Sequence, residues 1–301
     1  MRRYLRLTEE ATWGTFDGAA TTTKIILVDL DQANSYTVRP KPVTVDTRTA
    51  GSGNTRLKKT SKKKMLAGNL NMLIRGSQAV TLASWITPAA GSTAHKSFTA
   101  DYVIEMEDTT KVYSRHLGMM IQQAQIQSSE QSTLARLSLQ VVGKTTATIT
   151  VTDFAEPAAT DFASDAFLCH EDLSGHFSIA TSRTEFESFG LTVKNLLDVR
   201  FFESSSPTRI KYCGRDVDWT SKLAYKIATD RSDYEALTAV SGSATYDNGV
   251  NTLVMSMNSE NFFDDVEDDL DDSKVFLQQL NMQAFFDSAA GTPGDFAITA
   301  T

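Results

Sequence analysis

The chain has 301 residues, 41% of them apolar, and 29 Lys and Arg against 37 Asp and Glu give a formal net charge of −8. That length carries two ordinary domains, and the apolar content is that of a packed protein rather than a disordered one. The negative balance opposes general affinity for nucleic-acid phosphates, and no apolar run approaches the ~18 residues of a membrane-spanning helix.

The N-terminal MRRYLRLTEEATWG has basic residues with no apolar stretch behind them, so it does not read as a secretory signal. Residues 56–64, RLKKTSKKK, then place six basic side chains in nine positions. Ser77 opens a short helix, SQAVTLASWI, stopped by Pro88 and Gly91. SFTADYVIEME (97–107) is a strand candidate. Residues 134–142 alternate: Ala135, Leu137, Leu139 and Val141 take one face, and Arg136, Ser138 and Gln140 the other. With the polar turn at 128–132 before it, 119–142 reads as a hairpin. Residues 143–153 alternate again, with Ala147, Ile149 and Val151 opposite a row of threonines. The Ala- and Asp-rich stretch 156–170 lacks periodicity and reads as a linker. Beyond it, Ser232 to Glu235 form a capping box that opens a helix of about two turns ending near Ser241. Asp247-Asn248-Gly249 marks a tight hairpin before NTLVMSM.

The chain also repeats itself. Ser77 and Leu82 recur as Ser232 and Leu237, and TKVYSRHLGMM (110–120) is echoed by SKVFLQQLNMQ (273–283). This predicts two tandem β units, 1–155 and 171–301, joined by the linker.

No catalytic constellation emerges. The cysteines, Cys169 and Cys213, have no ligand spacing and read as two buried thiols. HEDLSGH (170–176) matches no metal-ligand helix face and reads as a solvated loop. GSGN (51–54) lacks the Lys-Ser/Thr of a phosphate-binding loop, and no GxSxG elbow is present. The seven carboxylates of 264–272 read as a self-repelling, solvated segment. The expectation is therefore a protein that is not an enzyme and has no cofactor or metal. Two classes stay open: a structural subunit, and a β-rich interaction module such as a baseplate or glycan-binding domain.

The order of the landmarks resembles the major tail tube proteins of long-tailed bacteriophages. YLRLTEEATWGT is similar to their N-terminal opening, and KKMLAGNLNMLIRGSQAVTLASWI to their strand followed at once by a short helix. SFTADYVIEME, Tyr113 with Gly118, the hairpin closing at Val142-Gly143-Lys144 and ESFGLTVKNLLDVRFF continue the likeness. The resemblance implies a mainly β, sandwich- or barrel-like unit with short flanking helices. Copies form rings, rings stack into a tube of the virion tail, and DNA passes down the lumen without specific binding. It further implies assembly in the host cytoplasm, tape-measure and tail-terminator proteins as partners, and no membrane. With the repeat, a ring of three chains with pseudo-sixfold symmetry is favoured over a hexamer.

On this reading YTVRPKPVTVDTR and KMLAGNLNMLIR form a hairpin whose long connection, 49–64, contacts the adjacent ring. The expected contact sets Arg56, Lys58, Lys59, Lys62, Lys63 and Lys64 against Asp264, Asp265, Glu267, Asp268, Asp269, Asp271 and Asp272 of that ring. The lumen is expected to carry Asp, Glu, Gln, Ser and Thr.

Overall fold

A computed structural model describes residues 2–16, 24–28, 35–48, 56–87, 95–106, 111–147, 149, 166–173, 175–223, 228–269, 277–284 and 296–301. It is mainly β. The first strands are β1 (Arg2–Glu10), β2 (Lys24–Val28), β3 (Ser35–Tyr36), β4 (Arg39–Arg48) and β5 (Arg56–Leu73), followed by helix α1 (Gly76–Ile86). Then come β6 (Ser97–Glu105), β7 (Lys111–Ser129), β8 (Arg136–Gly143) and β9 (Thr145–Ala147). After a 3-10 turn (His170–Leu173) follow β10 (Phe177–Ile179), β11 (Thr181–Ser182), β12 (Phe186–Arg200) and β13 (Arg209–Leu223). Helix α2 (Ala228–Glu235), β14 (Val240–Asp247), β15 (Thr252–Asp269), β16 (Leu277–Gln283) and β17 (Phe296–Ala300) complete the order.

Eight strands form one antiparallel sheet in the order β4-β5-β8-β7-β12-β13-β16-β15. The N-terminal half of β7 leaves it to pair with β6 and β9, and β6 continues to β1 and β2. The N-terminal half of β15 does the same with β14 and β17, and β14 continues to β10. Strands of 19 and 18 residues are long enough to serve two sheets.

One face of the large sheet is apolar from β5 across to β15. Met72, Leu137, Ile126, Leu191, Trp219, Met282 and Phe263 stand opposite one another in register, each 4% exposed or less. Period-two alternation in every strand produces this row. The helix α1 packs over the same core because Ala79, Leu82, Ala83 and Ile86 recur on one face. Its last carbonyl, Ile86 O, accepts from the buried Asn195 Nδ2 at 3.0 Å, and that amide also donates to Ile121 O at 3.0 Å.

The two halves of the chain use one pairing scheme. β1–β6–β7, β4–β5–β8–β7 and β7–β9 recur as β10–β14–β15, β12–β13–β16–β15 and β15–β17. Their register shifts recur too. The shifts at Pro42/Thr44, Phe98/Ala100 and Ile121/Gln123 answer those at Asn195/Leu197, Val240/Gly242 and Phe263/Asp265. A β-bulge bends a strand at a set place, so shared bulges mean shared curvature.

Several sequence expectations change. The run 56–64 is not a loop but half of β5, whose register sets Asp46 opposite Lys58. Long polar strands without an apolar face escape a periodicity test. The acidic stretch is likewise strand as far as Asp269. The capping box does not open α2: Ser232 lies inside it, donating to Thr229 O at 2.8 Å. The helix ends there in a Schellman turn, with Leu237 at φ 51° and the Thr238 N–H on Asp233 O, and Val240 to Gly242 belong to β14. The echo of 110–120 in 273–283 pairs β7 with β16, strands with different neighbours in the sheet. HEDLSGH is solvated only in part: Glu171, Gly175 and His176 are exposed, but His170 and Leu173 are buried. Cys169 is half-buried and Cys213 exposed, both as free thiols. Of the strand expected at 143–153, β9 covers Thr145–Ala147, and 148 and 150–153 lie outside the described residues.

The helix at 76–86, the strand at 97–105, the hairpin of β7 and β8 and the turn at Asp247–Gly249 form as expected. Gly249, at φ 80°, takes the left-handed conformation that the turn needs.

Candidate functional site

The face of the large sheet opposite the core is polar in successive rows. One row reads Asn71, Ser138, Gln125, Thr192, Asp218 and Gln283. The next reads Arg136, Gln127, Gly190, Thr220, Asn281 and Asp265. A third carries Asn69, Gln140, Gln123, Lys194 and Asp216. Amides dominate, and they bond laterally: Ser138 Oγ donates to Asn71 Oδ1 at 2.6 Å, and Asn71 Nδ2 to Ser35 Oγ at 2.9 Å. The Lys194 ammonium meets Asp218 Oδ2 at 2.5 Å, and this hydrogen bond holds the lysine pKa above its ordinary value. Lys194 thus stands beside its own counter-ion, which leaves it little net charge to attract an anion.

Both outer strands of this sheet are open among the described residues: β4 pairs with β5 alone, and the β15 segment from 262 onward pairs with β16 alone. The two edges run in opposite directions, because eight antiparallel strands separate like from like. Just before β4, in register with it, the Thr37 N–H donates to Asn69 O at 2.9 Å. Odd-numbered residues there bond inward, and Val38, Pro40 and Pro42 direct their backbone groups to the open edge.

The structure also locates the charged runs. Arg56, Lys58, Lys59 and Lys62 lie on β5 above the rows that β8 joins, although their side chains lie outside the described residues. Lys63 and Lys64 are exposed. The Lys63 Nζ sits 5.4 Å from the Phe201 ring centroid, and the Lys64 N–H donates to Ser205 O at 2.7 Å. The tip of the β12–β13 hairpin therefore rests on the basic strand.

Asp264 and Glu267 are exposed and Asp265 is half-buried on β15. Asp268 and Asp269 close that strand, and Asp271 and Asp272 lie outside the described residues. Within one chain the basic and acidic runs are not brought together. They occupy strands near opposite edges of the sheet, and β15 runs away from the end where the basic half of β5 protrudes.

In HEDLSGH, His170 and Leu173 serve packing. His170 accepts or donates with Ser128 Oγ at 3.0 Å and stacks edge-on to Phe186. Among the described residues no three His, Cys, Asp or Glu side chains gather as a metal site, and no helix is long and apolar enough to cross a membrane.

Residues 2–295 match the family described as phage tail tube protein, and no curated protein matches the chain. A continuable β-sheet with one dry and one amide-lined face is the architecture of a wall. The chain belongs to the phage tail tube protein family, and it is a structural subunit of the virion tail.

Proposed function

We propose that three copies of this chain close head to tail into a ring with pseudo-sixfold symmetry, and that stacked rings form the conduit through which genomic DNA leaves the virion. The observation that carries this is the eight-stranded sheet with two open, oppositely directed edges. The next copy's β4 continues the antiparallel alternation after β15. The shared pairing scheme and bulges support reading the chain as two tandem units, 1–155 and 171–301, with 156–170 between them. The joint between units, β7 against β12, then does inside one chain what β15 against β4 does between chains.

Three chains supply about 24 strands. At ~4.8 Å spacing and a tilt near 40° these give a backbone diameter of about 48 Å, which leaves a lumen wider than a DNA duplex after side chains project inward. The polar rows line it. Amides and paired charges suit passage, since each phosphate neutralised would add salt-dependent affinity.

The ring-to-ring contact belongs to the basic half of β5, with Arg56, Lys58, Lys59, Lys62, Lys63 and Lys64 protruding at one end of the sheet. The acidic end of β15, with Asp268 and Asp269, lies toward the other end of the sheet, so stacking brings these carboxylates, with Asp271 and Asp272 beyond them in the chain, to the basic residues of the next ring. Tape-measure and terminator proteins meet the tube in the lumen and at its end, and assembly takes place in the host cytoplasm. The work is mechanical, with no reaction catalysed.

Electron microscopy of the purified protein tests the reading. Rings or tubes with threefold averages and sixfold-like outlines are expected; a monodisperse, closed monomer at high concentration overturns it.

A further inference from the structure

Resting on the ring reading above, we infer the register of the joint between chains: Asp265 of one copy stands directly opposite Lys41 of the next, and Glu267 opposite Arg39. The inference comes from the joint inside the chain. There β7 pairs with β12 so that Gln123 faces Lys194 and Gln125 faces Thr192. The bulges supply the translation between halves. Ile121 and Gln123 flank the bulge of β7 as Phe263 and Asp265 flank that of β15. Pro42 stands before the bulge of β4 as Asn195 stands before that of β12. Counting from these marks, Asp265 and Glu267 take the places of Gln123 and Gln125, and Lys41 and Arg39 those of Lys194 and Thr192.

Three independent features agree with the result. The register was fixed by backbone bulges alone, yet it sets an anion against a cation at two successive same-face positions. All four side chains belong to the polar face, because their neighbours Leu66, opposite Pro40, and Val266 are buried in the core. Arg39, Lys41 and Glu267 are exposed in the single chain and Asp265 is half-buried, so they are available.

The third feature is a cavity. Inside the chain, Asn195 fills the space between the end of α1 and the bulge of β7. The corresponding space between the end of α2 and the bulge of β15 is an open cavity of about 520 Å³ lined by Leu237, Phe262, Phe263, Asp264 and Gln283. The residue that corresponds to Asn195 is Pro42, which is exposed on the open edge. An apolar pocket on one edge and an exposed proline on the other meet when the next copy docks in this register. Because the Lys41 and Arg39 positions bond inward to β5, they form non-hydrogen-bonded pairs with β15, the pairs whose side chains approach most closely.

Cysteine cross-linking tests the register in a Cys169→Ser, Cys213→Ser background. Lys41→Cys with Asp265→Cys is expected to give covalent dimers and trimers on oxidation of assembled rings, with the series closing at three. Lys41→Cys with Glu267→Cys, shifted by two residues, is expected to give at least tenfold less. Rings that form normally but cross-link through the shifted pair overturn the register and leave the ring reading standing. Failure of the unsubstituted chain to form rings overturns the ring reading itself. Charge reversal gives a second readout: Lys41→Glu blocks assembly of a chain that still melts cooperatively, and adding Asp265→Lys restores it. Equal assembly by the single and double variants counts against the pairing.

Discussion

Arg115 clasps Asp101 with two hydrogen bonds, Nε to Oδ1 at 2.6 Å and Nη2 to Oδ2 at 3.1 Å, and Arg6 adds a third at 2.5 Å from the other side. The carboxylate is fully buried, and Phe16 covers the Arg115 guanidinium at 3.5 Å. This triad ties β1, β6 and β7 together in the first half. Asp101→Ala leaves two buried guanidinium groups without their counter-ion. A loss of about 3–5 kcal/mol is expected, measured as a lowered denaturant midpoint with an unchanged slope.

A second buried group makes the same region sensitive to acid. His116 is wedged against Tyr36, whose hydroxyl bonds Nδ1, and Ser114 Oγ lies 3.2 Å from Nε2. Burial lowers its pKa from 6.5 to about 4. Between these values the unfolded chain holds a proton that the folded chain excludes. The contribution to stability is therefore complete above pH 6.5 and is lost as the pH falls toward 4, a change of order 3 kcal/mol. Unfolding free energies measured at pH 7 and pH 4.5 should differ less in His116→Gln than in the parent chain.

Gly68 marks the place where the segment before β4 lies closest against β5. A Cβ there would lie 2.6 Å from Val38 Cα and 2.7 Å from Thr37 O, both backbone atoms that cannot swing away. Gly68→Ala is expected to cost about 1–3 kcal/mol and to loosen the β4 edge. Hydrogen exchange at Val38 to Lys41 should rise more than exchange in β12, and equal protection in both strands would count against this.

Replacing the six basic residues of 56–64 with serine tests the contact between rings separately from the contact within them. Rings should still form, but stacking should weaken. The parent tubes should shorten as salt rises, because exposed pairs contribute only about 0.2–1 kcal/mol each and are screened over roughly 8 Å at physiological ionic strength. Full-length tubes from the serine variant at every salt concentration would remove the basic run from the interface.

Asn195 offers a further check on the core. Its amide satisfies Ile86 O and Ile121 O together in a buried site. Asn195→Leu strands two buried carbonyls, for an expected loss of about 2–4 kcal/mol by thermal or denaturant unfolding.

Much of this fold is legible in the sequence where alternation is clean. Leu137, Leu139 and Val141 announce their buried face, and Asp247-Asn248-Gly249 announces its turn. The basic half of β5 is not legible, since runs of Lys with Leu57 as the one apolar residue give no alternation, and the strand is held by its β4 partner instead. Ser232 shows the opposite failure. Its spacing to Glu235 satisfies a capping pattern, but tertiary packing starts the helix a turn earlier at Ala228. The pairing scheme common to the two halves leaves little trace in the sequence, because the positions of its bulges are backbone features rather than side-chain identities. The polar rows leave a signal that pattern reading could have used: Gln123, Gln125 and Gln127 alternate with buried Ala124 and Ile126, and Gln279, Asn281 and Gln283 with Leu280 and Met282. Arg39 and Lys41 leave none, since the role inferred for them depends on a strand in another copy.

Pro40 and Pro42 carry a final consequence. Each directs a carbonyl but no N–H to the open edge of β4, so two β4 strands brought side by side would face acceptor with acceptor. Twofold self-association through that edge is thereby disfavoured, whereas the β15 segment has donors to offer it. On the proposed ring, proline at these two places gives growth a polarity, steering newly made chains away from dead-end pairs and toward closure in one sense of rotation.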